Sequence, residues 1–188
     1  MDKKKVAILA GHSTTDPGAV NTDKSNGLTT KEYDYNNYVV NKIVEILKSS
    51  SSVEPILVKR DVPYSKLPAK VNALSPKLVL EFHCNAVSNV TAGGSSTLYS
   101  GSAKSEPIAA MIQTTLLNTF KLRDRGLEAL AKGDRGATLI FETNAPCFII
   151  EPFFISNEAE ETKGVALKDT YAKNMAVTIE QIVSKGLV

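Results

Sequence analysis

The chain is poor in the residues that usually announce a specialised role. It has no tryptophan, two cysteines and two histidines among 188 residues. Two cysteines cannot support a disulfide-stapled scaffold, and Cys84 and Cys147, each in or beside an apolar run, read as buried free thiols. No stretch approaches the roughly 18 apolar residues of a membrane span, so no membrane insertion is expected. Neither sign of charge prevails: 22 Lys and Arg against 20 Asp and Glu leave a formal net charge of +2, too balanced to point to a nucleic-acid partner. Met1-Asp2-Lys3-Lys4-Lys5 precedes only five apolar residues before Gly11, too few for a signal-peptide core, so no Sec export is expected. With 43% hydrophobic residues and no low-complexity tract, residues 1–188 read as one globular domain.

Within that frame, strand-like and helix-like segments alternate. Residues 5–10 form an apolar run of strand length, and 11–27 are rich in Gly, Ser, Thr, Asn and Asp, as in a long loop. A helix is expected from Thr29, with Val40, Ile43, Val44 and Leu47 at helical spacing and the serines at 49–52 ending it. Residues 54–59 read as a second strand, 69–74 as a short helix after Pro63 and Pro68, and 77–83 as a third strand. Further strands are expected at 95–100, 138–141 and 147–153, with a helix over 106–120 that Pro107 suits in its first turn. Leu167, Tyr171, Met175, Ile179 and Ile182 share one face of a last helix, and the acidic run 158–161 suits its N-terminus. The pattern predicts a three-layer α/β sandwich, with a mostly parallel or mixed sheet and helices on both faces.

Scarcity makes the two histidines informative. His12 and His83 each sit where an apolar run meets a polar stretch, and Glu151 repeats that placement. Strand ends are where an α/β protein assembles a site along one sheet edge. One such histidine alone is more often a structural hydrogen-bonding group, whereas two at equivalent ends favour a shared metal-dependent site. A hydrolytic zinc site has three protein ligands and one open position, so a third ligand is needed. Glu32 is the candidate, although Thr29-Thr30-Lys31-Glu32 reads equally well as a capping box. Glu151, in Phe148-Ile149-Ile150-Glu151-Pro152-Phe153-Phe154, is an acid among apolar neighbours, suited to taking and returning a proton. Glu81 shares the expected face of His83, rivals both the ligand and the base role, and otherwise suits a place beside substrate or behind the metal ligands.

Other polar residues rank below these. Asp16 in Asp16-Pro17-Gly18 suits a turn and is near enough to His12 to support it from outside the metal. Asn85 suits either substrate binding or a turn cap. Arg123-Asp124-Arg125-Gly126 and Gly133-Asp134-Arg135-Gly136 read as loop corners able to offer an arginine to a substrate carboxylate. Gly93-Gly94 lacks the helix start that phosphate binding requires.

Taken in order, Gly11-His12 with Asp16-Pro17-Gly18-Ala19, Glu32, His83-Cys84-Asn85-Ala86 and Ile150-Glu151-Pro152-Phe153-Phe154-Ile155-Ser156-Asn157 resemble the motifs of zinc-dependent N-acetylmuramoyl-L-alanine amidases of the amidase-3 type. The segments 94–99 and Asp124-Arg125-Gly126 are similar to intermediate segments of that family. The resemblance implies that His12, Glu32 and His83 hold Zn2+ and that Glu151 is the catalytic carboxylate. It further implies peptidoglycan as partner and cleavage of the amide between the lactyl group of N-acetylmuramic acid and the L-alanine of the stem peptide. Asn85 and the loops after the strands would then hold glycan or peptide.

Ser13-Thr14 replaces a glycine pair common after the first histidine in that family, and Leu67 occupies the region where many relatives carry an arginine. The short chain, the missing signal and the Glu81-Phe82-His83 variant look most like a phage endolysin catalytic domain, made in the host cytoplasm and acting on the wall after release. A separate wall-binding domain is not expected, and a monomer is favoured. Two other classes stand beside this reading. A metal-free glycosidase would pair two of Glu32, Glu81 and Glu151, leaving both histidines without a role. A non-catalytic wall-binding module would not need the full ligand set.

Overall fold

A computed structural model of the chain describes residues 2–22 and 29–188. Strands β1 (Lys4–Ala10), β5 (Leu78–Phe82) and β8 (Cys147–Glu151) are the apolar centre of a six-stranded sheet. Their continuous apolar runs are those of strands covered on both faces. Outward from them lie β4 (Val53–Leu57) on one side, then β6 (Ser95–Tyr99) and β7 (Asp124–Ala129) on the other, in the order β4-β1-β5-β8-β6-β7. The first four run parallel; β6 is antiparallel to β8 and parallel to β7, which makes the sheet mixed.

Alternation of side chains divides the core. Val6, Ile8, Leu78, Leu80, Phe82, Phe148 and Ile150 meet α1 (Glu32–Leu47), α3 (Glu106–Phe120) and α5 (Glu158–Ser184) on one face. Ala7, Leu9, Val79, Cys147 and Ile149 meet α2 (Leu67–Ala73) and α4 (Ala137–Glu142) on the other. Burial of each large apolar side chain contributes roughly 1.5–3 kcal/mol, so both faces are driven by the same force. Cys84 and Cys147 are buried free thiols in opposite faces, as their apolar settings predict. Asn157 caps α5 by accepting a hydrogen bond from the Glu160 N–H, with Glu158, Glu160 and Glu161 in the first turn. Among the described residues, no helix is long and apolar enough to cross a membrane.

Several expectations change. The expected loop over 11–27 contains β2 (Val20–Thr22), paired antiparallel with β3 (Thr29–Lys31); residues 23–27 of it lie outside the described residues. The helix therefore begins at Glu32 rather than Thr29. The capping box does not form, because the Glu32 N–H donates to the Ala19 carbonyl and the Glu32 carboxylate is engaged elsewhere. Residues 138–141 are helical, not a strand: Gly136 at φ 83° turns the chain into α4, which buries Leu139 and Ile140 in one turn. Arg123-Asp124-Arg125-Gly126 is no loop corner but the entry to β7, an edge strand whose exposed residues carry no apolar alternation. Leu67 starts α2 and is fully buried in the core.

Candidate metal centre and active site

Parallel register assembles the site. Ala10 pairs with Phe82 and Phe82 with Ile150, so β1, β5 and β8 end level with one another. Gly11 N–H donates to the Phe82 carbonyl at 2.7 Å and His83 N–H to the Ile150 carbonyl at 3.0 Å, which carries the ladder one residue past the strands. His12, His83 and Glu151 consequently line one pocket of about 710 Å³. His12 adopts φ 67°, a left-handed conformation that costs a non-glycine residue on the order of 1 kcal/mol. That turn swings its ring back over the strand ends, with the His12 and His83 ring centroids 5.2 Å apart.

Glu32 reaches the pair from the first turn of α1. Its Oε1 lies 2.9 Å from His83 Nδ1 and accepts the Cys84 N–H at 3.0 Å. Its Oε2 accepts the Ala19 N–H at 2.9 Å and lies 3.4 Å from His12 Nε2. Burial disfavours the charge on Glu32, but the His83 hydrogen bond and charge, the Ala19 N–H and His12 together hold its carboxyl below the usual range. Burial likewise opposes charge on His83, yet Glu81, Glu32 and Glu151 raise its pKa well above the ordinary histidine value.

One nitrogen or oxygen from each of His12, Glu32 and His83 falls within a 4.8 Å cluster. Two imidazoles and a carboxylate are a donor set that suits zinc. Glycines let the backbone close around this cluster: a Cβ on Gly11 would stand 2.1 Å from His83 Cε1, and one on Gly18 would stand 2.5 Å from Glu32 Oε2 and from His12 Cδ2. Glu81 Oε1 and Glu151 Oε2 are buried beside this donor set without hydrogen-bond partners. The residues therefore fit a divalent ion.

Glu151 ends β8 and lines the pocket as a partly buried residue whose Oε2 is shut off from solvent. Burial pushes its carboxyl up to about 8; the His83 charge opposes that rise, and Glu32, Glu81 and Glu128 add to it. A carboxyl poised there can accept and return a proton near neutral pH. Asp16 Oδ2 lies 3.4 Å from His12 Nδ1 and 3.3 Å from Arg60. Asn85 lines the pocket, its backbone fixed by Phe153 and Ile155. Glu81 is fully buried and outside the ligand cluster.

The pocket also contains residues that the sequence reading passed over. Arg60, Tyr64 and Glu128 line it; Arg135 of Gly133-Asp134-Arg135-Gly136, expected to offer an arginine to substrate, lines it as well. Arg60 follows the end of β4 and so shares the strand-end placement that singled out the histidines; nothing in the pattern marked Tyr64. A second depression of about 810 Å³ adjoins this one, sharing Asp16 and Arg60 with it.

Comparison with known proteins agrees with this architecture. A family model described as N-acetylmuramoyl-L-alanine amidase matches residues 6–184. Among solved structures, an N-acetylmuramoyl-L-alanine amidase from Clostridium difficile 630 is similar with a TM-score of 0.84 at 23% identity, covering 98% of both chains. The catalytic domain of CwlV, an N-acetylmuramoyl-L-alanine amidase from Bacillus (Paenibacillus) polymyxa var. colistinus, gives 0.83 at 24% identity, covering 96% of this chain and 98% of its own. The catalytic domain of an endolysin targeting Clostridia difficile gives 0.69 at 24% identity, covering 94% and 96%. No curated protein sequence matches the chain. At these identities the solved structures establish the fold.

Proposed function

The chain belongs to the N-acetylmuramoyl-L-alanine amidase family, and from that premise we propose how it hydrolyses peptidoglycan: His12, Glu32 and His83 hold a zinc ion, and Glu151 carries the proton. The scissile bond is the amide between the lactyl group of N-acetylmuramic acid and the L-alanine of the stem peptide. The observation that carries this reading is the meeting of His12, Glu32 and His83 within 4.8 Å in the pocket that Glu151 lines. Similarity to an endolysin catalytic domain supports a lytic role.

Zinc held there would supply a Lewis acid for the lactyl carbonyl and for the attacking water. Glu151 accepts the proton that water loses as its oxygen bonds to the carbonyl carbon. The same carboxyl then gives that proton to the alanine nitrogen as the carbon–nitrogen bond breaks, leaving a lactyl carboxyl group and a free amine. Arg60, Arg135 and Asn85, on the pocket wall, offer donors to peptide carbonyl and carboxylate oxygens.

The test compares zinc content with turnover of purified peptidoglycan for wild type, His12→Ala and Glu151→Gln. The expected result is loss of zinc and turnover in His12→Ala, with zinc retained and turnover down roughly 10²–10⁴-fold in Glu151→Gln. An active Glu151→Gln enzyme would remove Glu151 from the proton-carrying role.

A further inference from the structure

Glu81 has no part in the chemistry assigned so far, although it is fully buried beside a ligand. It lies on the α2 and α4 face of β5, paired in register with Leu9 and Ile149. Its Oε1 is 3.4 Å from His83 Nε2, within ion-pair range, and has no hydrogen-bond partner. Its Oε2 accepts from the Tyr64 hydroxyl at 3.4 Å, and that hydroxyl is also 3.2 Å from the Gly136 carbonyl. A carboxylate buried so thoroughly is costly unless something nearby uses its charge.

We propose that Glu81 is a positioning residue that fixes the tautomer and orientation of His83, so that Nδ1 is the atom presented to the metal. The inference rests on the zinc reading above. His83 Nδ1 faces the cluster, 2.9 Å from Glu32 Oε1. For Nδ1 to offer its lone pair, the ring proton must sit on Nε2, where a facing carboxylate favours it. Glu81 Oε1 is the carboxylate oxygen facing it. An outer carboxylate of this kind fixes the ring and raises its basicity as a ligand.

The other roles open to Glu81 fail on geometry. It lies outside the cluster of ligand atoms, and it is not among the residues lining the pocket, so it reaches neither metal nor substrate. Nor is its relation to His83 a duplicate of Asp16 to His12. Asp16 faces His12 Nδ1 at the same 3.4 Å, but its side chain is 54% exposed and shared with Arg60. Solvent and the guanidinium blunt its pull, whereas Glu81 acts undiluted from the core. Tyr64 then serves as the anchor of the anchor, tying Glu81 to the turn that starts α4.

The experiment measures zinc affinity of the metal-free full chain by chelator competition for wild type, Glu81→Gln and Tyr64→Phe, with far-ultraviolet circular dichroism to establish folding. Glu81→Gln should bind zinc roughly 10–100-fold more weakly, and Tyr64→Phe about fivefold more weakly, the worth of one hydrogen bond. Long-range proton–nitrogen correlation spectra of the zinc-loaded wild type should show His83 protonated at Nε2. Should Glu81→Gln fail to fold, Tyr64→Phe and the wild-type tautomer still decide the matter. Zinc binding within twofold of wild type in a folded Glu81→Gln or in Tyr64→Phe, or metal on Nε2, would overturn the positioning role alone. A wild type that binds no zinc would overturn the metal reading with it.

Discussion

Replacing Gly11 with alanine should force the His83 imidazole out of place, and the size of the effect follows from the packing. The new Cβ would lie 2.1 Å from Cε1, 2.3 Å from Nε2 and 2.5 Å from Nδ1 of that ring, whereas ordinary contact begins near 3.4 Å. The ring must therefore retreat by more than 1 Å, since 3.4 − 2.1 leaves 1.3 Å to recover. It cannot do so freely, because Glu32 stands 2.9 Å from one nitrogen and Glu81 stands 3.4 Å from the other. Losing one charge-assisted hydrogen bond costs about 1.5–3 kcal/mol, and an off-rotamer ring about 0.5–1.5 kcal/mol more. Gly11 is not in the left-handed region, so alanine itself meets no backbone penalty. A double-mutant cycle isolates the clash: chemical denaturation in chelator of wild type, Gly11→Ala, His83→Ala and the double variant. Gly11→Ala should cost about 2–4 kcal/mol when His83 is present and be neutral or slightly stabilising in the His83→Ala background, where the space is open. Equal losses in both backgrounds would refute the reasoning, because the cost would then lie in the backbone.

Other consequences follow from the same structure. Gly164→Ala in α5 gains about 1 kcal/mol of helix propensity. Its Cβ, however, would stand 2.3 Å from Phe153 Cε1, and Phe153 is backed by Tyr35 and Phe120 at ring-centroid separations of 5.1 and 5.9 Å. The expected result is a net loss of about 1–2 kcal/mol, seen as a thermal midpoint lower by several degrees; a raised midpoint would contradict the tight packing. In chelated protein, the Glu151 carboxyl is raised from 4.5 to about 8 by burial, so the folded state holds its proton more tightly than the unfolded state. That contribution is complete below about pH 4.5 and is lost as pH rises through about 8. His83, also raised, acts in the same direction. Denaturation midpoints of metal-free protein should therefore fall from pH 5 to 8, and fall less in Glu151→Gln; identical slopes would show that Glu151 does not titrate in this way.

Legibility in the sequence tracks how far each feature depends on long-range contacts. The apolar runs of β1, β5 and β8 are visible because strands buried on both faces need no polar alternation, and their ends expose His12, His83 and Glu151 together. Glu32 is ambiguous for a physical reason: an acid in a helix's first turn serves a cap or a ligand equally well, and only the β2–β3 pairing moves the helix start to Glu32. The edge strand β7 has no signal, since its residues are mostly exposed and take their extended form from pairing with β6. Residues 138–141 offer an apolar stretch too short for a period, so their helix depends on the Gly136 turn and the α4–β8 packing. Glu81 illustrates the opposite failure. Its position beside His83 is legible, but its function depends on which side of the sheet the side chain enters and on Tyr64 from a distant turn.

The most direct test is to digest purified peptidoglycan with the full chain, with and without chelator, and to identify the new ends by mass spectrometry. The account predicts free L-alanine amino ends, produced only when zinc is present and abolished in Glu151→Gln. New reducing sugar ends, or alanine ends released equally in chelator, would contradict it.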